Sequence, residues 1–305
     1  MRRFLVLILV LVFSCRAESQ LPELSCLYLD NTMAINPAFA GNQDALSATV
    51  TYRNQWVGFP DAPVNLIMSL HTPFYGGRAG AGVLLKRNTI GIQSSTGIYG
   101  IYSYRLELHR GTLAMGLGFG IEVYNMQWNK LIAADQGDEL LKGNENSAIL
   151  PDFSLGVYYS TKRCFAGISL PGFISHELNS RTGKYQVSNS MSGYTLMISG
   201  GYYFNPGEQI QFLPSVLMKI NSVHNPQIDL NAQAIFKDKI WLGAGYRTND
   251  VLIGLLQCQV NYQTRIGYAY DFELGRTGRF SSGSHEAALS YVFSYVRKAS
   301  GPRNF

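Results

Sequence analysis

The sequence predicts an all-β fold, a transmembrane outer-membrane β-barrel of about fourteen antiparallel strands. Three observations carry that prediction. The first is alternation. From Leu113 to Val123 every second residue is a large hydrophobe (Leu113, Met115, Leu117, Phe119, Ile121, Val123), and the residues between are small or polar (Ala114, Gly116, Gly118, Gly120, Glu122). A period of two sends the two sets to opposite faces of a strand. A greasy face backed by a glycine face suits lipid outside and a crowded or wet lumen inside. The second is composition: 31 Gly, 19 Tyr and 16 Phe beside only 15% charged residues, which fits an apolar band with aromatic girdles. The third is export. Arg2 and Arg3 precede an uninterrupted apolar run, Phe4 to Phe13, and then small and polar residues from Ser14 to Ser19. That run is shorter than the roughly 20 residues a membrane helix needs and reads as a secretory signal. No later stretch is apolar for long enough either, so the alternative is a secreted β-sandwich, which the composition disfavours.

The elements follow in order. Residues 1–20 are the signal peptide, with cleavage expected between Ser14 and Gln20. Val12-Phe13-Ser14-Cys15 loosely resembles a lipoprotein-processing site, although the bulky Phe13 argues against it. Residues 21–45 lack alternation and are expected as a periplasmic segment or a plug folded into the lumen. The barrel is expected over 46–296 and a tail over 297–305. Alternation bounded by turn residues places strands at 46–55, 64–73, 78–87, 95–107, 111–124, 151–160, 164–170, 193–204, 210–220, 227–237, 239–247, 252–260, 263–273 and 284–296. With the N-terminus periplasmic, the odd-numbered connections lie outside. The longest gaps, 125–150, 171–192 and 274–283, all fall there, as outer loops of such barrels do. The even connections are tight turns such as His109-Arg110-Gly111, Asn205-Pro206-Gly207 and Lys237-Asp238-Lys239.

Charge and motifs exclude several functions. Losing Arg2, Arg3, Arg16 and Glu18 with the leader takes the net charge from +5 to +3, too mild and scattered for nucleic acid. Cys26, Cys164 and Cys258 lack metal-site spacing and are expected as small buried side chains. Asp135, Asp138, Glu139, Lys142 and Glu145 form a solvated acidic loop without calcium-loop spacing. Among His71, His109, His176, His224 and His285 there is no nucleophile elbow or metalloprotease helix. Ser69 and His71 share a face, and His285 and Glu286 point to opposite faces. No catalytic, cofactor or metal residues are assigned, and no enzyme activity is expected. Arg53, Arg105, Glu122, Arg247, Arg265, Asp271 and Glu273 fall inside strands. An Arg facing mid-membrane lipid costs about 2–4 kcal/mol, so these charges are expected in the lumen or at a rim, pairing there.

The chain becomes recognisable at Asn36-Pro37-Ala-Phe-Ala-Gly41, followed by Tyr52-Arg53-Asn-Gln55-Trp56. Gly58-Phe59, Ala62-Pro63 and Ser69-Leu-His71-Thr-Pro73 continue the pattern. Later come Leu242-Gly-Ala-Gly-Tyr246-Arg247, Ile266-Gly267-Tyr268-Ala-Tyr-Asp271 and Gly283-Ser-His285-Glu286. In this order the segments resemble the PorP/SprF family of Bacteroidota outer-membrane proteins, with the middle, roughly 125–192, unmarked. The resemblance implies a part in type IX secretion: assisting export or surface anchoring of cargo with a C-terminal sorting domain, with links to gliding motility. It also implies periplasmic partners, including a peptidoglycan-linked lipoprotein, and no enzyme or cofactor. The family-marked positions, for assembly or partner contact, are Asn36, Pro37, Gly41, Arg53, Gln55, Trp56, Pro63, His71, Tyr246, Arg247, Gly267, Tyr268, Asp271, His285 and Glu286. The alternative is an outer-membrane channel or hydrophobic-substrate transporter, for which an N-terminal plug would also suit.

Overall fold

Alternation governs the wall of the computed structural model, which describes residues 25–43, 45–127, 146–179, 184–188, 193–205, 209–222, 225–248 and 250–293. The first seven wall strands are β1 Leu46–Asn54, β2 Val64–Phe74, β3 Ala79–Ile90, β4 Gln93–Leu108, β5 Gly111–Met126, β6 Asn146–Ser160 and β7 Cys164–Leu170. After β8 Ser175–Asn179 and β9 Lys184–Ser188 come β10 Thr195–Tyr202, β11 Ile210–Asn221, β12 Gln227–Phe236 and β13 Ile240–Arg247. β14 Val251–Gln259, β15 Thr264–Glu273 and β16 Ser284–Phe293 complete the chain. All but β8 and β9 form one closed antiparallel barrel of fourteen strands, each paired with its predecessor in the wall. β1 closes it against β16, from Leu46 opposite Phe293 to Asn54 opposite His285. Closure leaves no unpaired sheet edge in a solvent that cannot satisfy one.

The wall strands match the sequence expectation, with instructive differences. The connection after β7 holds a hairpin, β8 with β9, because five-residue strands carry too little alternation to stand out. β6 begins at Asn146 rather than 151. Pro151 reads as a boundary in sequence, yet it sits within the ladder opposite Ile121. Residues 294–296, the acidic residues of the loop after β5 and Cys15 lie outside the described residues. Of the cysteines expected as buried side chains, Cys26 is buried, whereas Cys164 is half-buried and Cys258 stands on the outward face of β14.

The two faces are chemically opposed. In β5, Met115, Leu117, Phe119 and Ile121 are 43–58% exposed on the outside, while Ala114, Gly116, Gly118, Gly120 and Glu122 face in and are buried. The same exposed apolar face recurs on the other strands, at Leu70, Leu85, Leu230 and Leu256 among others. An apolar surface that encircles the molecule is a lipid-facing band.

Residues 25–43 occupy the lumen, almost all of them buried. They bend through two short 3₁₀ turns, Thr32–Ala34 and Pro37–Phe39. Asn36 caps the second by accepting from the Ala38 N–H at 3.0 Å, with Pro37 as its first residue. Met33, Ala34, Ala38, Phe39 and Ala40 join one apolar cluster with barrel residues such as Leu84, Tyr99 and Tyr158. Cys26 and Leu27 join a second beside Val251 and Ile253, and Tyr28 and Ile35 a third beside Met197 and Leu217. Lumenal glycines make the room. A Cβ on Gly116 would overlap the backbone of Pro37 and Ala38, one on Gly80 would overlap Ala40 O, and one on Gly156 would overlap Asn36 Oδ1.

The segment runs along the barrel axis. Cys26 lies beside Asp271 and Glu286, near the rim of the longer connections. Gly41 lies beside His71 and Gly80, near the rim of the short turns. Gly41 has φ of 67° there, and an added Cβ would come within 2.7 Å of Gly80 Cα, so both conformation and space demand glycine.

Gly116→Leu is expected to destabilise the barrel by about 1–3 kcal/mol or more through overpacking, whereas Gly254→Leu, which meets nothing within 4 Å on the outer face, leaves stability unchanged. The temperature at which the folded band is lost in dodecyl sulfate gels measures both.

Candidate functional site

Five of the lumen's buried charges, one on each of five strands, gather near the longer-connection rim. Arg53 of β1 and Glu286 of β16 are register partners, as are Asp229 of β12 and Arg247 of β13. Period-two alternation points all four inward, with Asp271 of β15 between them. Arg53 donates from Nη2 to Asp271 Oδ2 at 2.6 Å and from Nη1 to Glu286 Oε2 at 3.1 Å. Arg247 donates from Nη1 to the same Asp271 oxygen at 2.7 Å and from Nε to Asp229 Oδ1 at 2.9 Å. Gln227 Nε2 adds a 3.0 Å bond to Asp229. Each of these five charged side chains is at most 4% exposed.

The N-terminal segment completes the cluster. The Cys26 thiol donates to Asp271 Oδ1 at 2.7 Å, and its sulfur accepts from Arg53 Nη1 at 3.3 Å and Arg247 Nη2 at 3.2 Å. Glu286 accepts from the Cys26 N–H at 2.7 Å, the Leu27 N–H at 3.3 Å and the Ser25 hydroxyl at 2.6 Å. One turn further along, Asp30 pairs with Arg265 at 2.6 Å, and the guanidinium of Arg265 lies 5.3 Å from the Trp241 ring. Buried charge is tolerated only when paired and hydrogen-bonded. Here the pairing ties β1, β12, β13, β15 and β16 to one segment.

A second set anchors the other end of the segment. The Gly41 N–H donates to His71 Nδ1 at 3.1 Å, and the His71 ring stands edge-on to Phe39 with centroids 5.9 Å apart. Ser103 Oγ donates to Ala40 O at 2.6 Å, and Arg105 Nη2 to the same oxygen at 3.4 Å. Between the two ends, Asn36 Nδ2 donates to Val157 O at 3.0 Å. Ser69 Oγ turns to Thr49 O at 3.5 Å, so His71 serves the segment and not a Ser–His dyad.

The family-marked positions therefore divide by location. Asn36, Pro37 and Gly41 lie in the segment; Arg53, Arg247, Asp271 and Glu286 clamp its start; His71 holds its end. Gly267 faces Leu27 and Asp30, and a Cβ there would sit 3.3–3.4 Å from each. Gln55 is buried, its N–H donating to Pro63 O at 2.9 Å. Trp56, with φ of 49°, is held by Nε1 to Glu273 Oε1 and N–H to Ser284 Oγ, both 3.1 Å. Tyr246, Tyr268 and His285 do not join the lumen. They face outward, with the Tyr268 hydroxyl against His285 Nδ1 and the Tyr246 hydroxyl donating to Asp250. All seven mid-strand charges named from sequence are buried. Asp229, and the place of the buried Cys26 among these charges, were missed. The polar run Gln227, Asp229, Asn231, Gln233 on one face of β12 could have revealed the first, but nothing in an unperiodic segment marks Cys26.

A closed fourteen-stranded barrel with a lipid-facing band and a charge-paired lumen defines an outer-membrane protein. The model for the family described as Type IX secretion system membrane protein PorP/SprF matches residues 17–291, and the chain belongs to that family. None of the curated proteins matches it. Among solved structures, it is similar to the CymD monoaromatic hydrocarbon channel, at 12% identity and TM-score 0.53 over 88% of this chain and 94% of that one. It is also similar to the Pseudomonas putida toluene transporter TodX, at 12% identity and TM-score 0.51 over 90% and 94%. At such identity the likeness concerns the fold alone.

Asp271→Ala, which leaves two buried guanidiniums short of a partner, is expected to cost about 3–5 kcal/mol. Asp250→Ala on the exposed surface should cost under about 1 kcal/mol. Thermal unfolding of the detergent-solubilised proteins distinguishes them.

Proposed function

We propose that this barrel assists export or surface anchoring of cargo in type IX secretion through its two rims, with a lumen that serves as a fixed core. The observation that carries the reading is the segment 25–43, which fills the lumen and is bound at both ends by buried hydrogen bonds and ion pairs. Work on a partner then falls to the rims. The longer connections, including the β8–β9 hairpin, face the cell exterior and hold cargo bearing a C-terminal sorting domain. The short turns at 75–78, 109–110, 161–163 and 237–239 face the periplasm, where a peptidoglycan-linked lipoprotein docks. In this orientation β1 starts on the periplasmic side, and only the Gly41 end of the N-terminal segment lies there; its Ser25 end lies toward the exterior. A transporter like the hydrocarbon channels would need this segment to yield, against the bonds at both its ends.

The test places an affinity tag in the turn at His109-Arg110 or beside Gly275 in cells that carry the gene. The tag at Gly275 is expected to bind antibody on intact cells, and the tag at 109–110 only after the outer membrane is opened. Both tagged proteins should co-purify with a protein bearing a type IX sorting domain. Reversed accessibility, or recovery of porins and lipopolysaccharide alone, contradicts the proposal.

A further inference from the structure

The mouth of the barrel at the short-turn rim is a cup of about 1650 Å³. Its floor is the lumen's own filling: Asn42 from the end of the N-terminal segment, with Phe165 and Tyr203 from the barrel. It is therefore a concavity that stops where the segment ends. Its charge is one-sided. Arg78, Arg110, Lys162 and Arg163 line it from three separate turns, and Arg105 adds a fifth cation near the floor. Among the described lining residues Glu107 and Asp238 stand against them, the latter already accepting from Gln211 Nε2 at 2.9 Å.

The four turn cations are exposed, and among the described residues none of them forms an ion pair. Like charges brought together around a concave mouth repel one another and focus a positive potential into it. Such an arrangement lowers its energy when an anion enters.

We infer that this cup is a docking site for an acidic, extended segment of a periplasmic protein. Two features favour a protein segment over lipid headgroups. The cations line the inside of the mouth rather than the outer wall that meets the membrane. The depth of the cup suits a chain that enters rather than a surface that lies flat. Placing it in the periplasm rests on the orientation proposed above; the site itself does not.

The test uses the full-length protein in phosphatidylcholine nanodiscs and a fluorescein-labelled hexaglutamate peptide, read by anisotropy. The peptide is expected to bind at low ionic strength, and binding should fall by about tenfold or more between 50 and 500 mM salt as charges are screened. The double variant Arg110→Glu/Arg163→Glu should weaken binding by about tenfold or more, since both charges then oppose the ligand. The same charge change on the other rim, Arg87→Glu/Arg279→Glu, should alter it less than about twofold at that distance. Added phosphatidylglycerol should leave the affinity unchanged. No binding by the unaltered protein, equal weakening by both double variants, or displacement of the peptide by the anionic lipid each overturns the inference. Because the protein is purified, these outcomes are independent of which rim faces the periplasm, which the tags decide.

Discussion

Asp271 is the point on which the lumen turns. Its two oxygens take Arg53, Arg247 and the Cys26 thiol at 2.6–2.7 Å, so one carboxylate joins strands β1, β13 and β15 to the N-terminal segment. A fourteen-stranded barrel is wide enough to need filling, and its outer face can hold no charge at mid-membrane depth. The inner face must therefore carry the polar residues that close the barrel, and it must neutralise them away from bulk water. Here that is done by a stretch of chain that precedes the first strand. Remove the segment and three guanidiniums (Arg53, Arg247 and Arg265) and two carboxylates (Asp271 and Glu286) lose partners; remove the charges and the segment loses its anchor.

The glycines belong to the same solution. A strand rich in glycine is weak in isolation, and β5 carries three of them on one face. In the barrel Gly116 leaves the width occupied by Pro37 and Ala38, Gly118 and Gly120 clear Ser154 and Tyr99, and Gly80 and Gly156 clear Ala40 and Asn36. Large lipid-facing residues on the other face restore what the strand loses. Local weakness and global fit are thus two consequences of the same residues, and the basic cup at the short turns is shaped by the point where this filling ends.

Legibility in the sequence followed periodicity. Alternation located every wall strand, because lipid on one side and a crowded lumen on the other impose a strict period of two. The same parity sent Arg53, Arg247, Asp271 and Glu286 inward. It was silent on the five-residue strands β8 and β9, and it misread Pro151, which sits inside a ladder where a proline usually marks a boundary. The partners of Cys26 were invisible because residues 25–43 form short 3₁₀ turns with no repeating face; their order comes from the barrel around them. Tyr268 and His285 stood in the same ordered motifs as Asp271 and Glu286, yet adjacent residues of a strand face opposite ways. Motif order alone could not separate the lumenal pair from the outward one.

The central claim is that the lumen is sealed by its own N-terminal segment. Conductance of the purified full-length protein in planar lipid bilayers tests it most directly. The expected result is a membrane without large, steady openings. Long-lived porin-like conductance from the unaltered protein would contradict the claim.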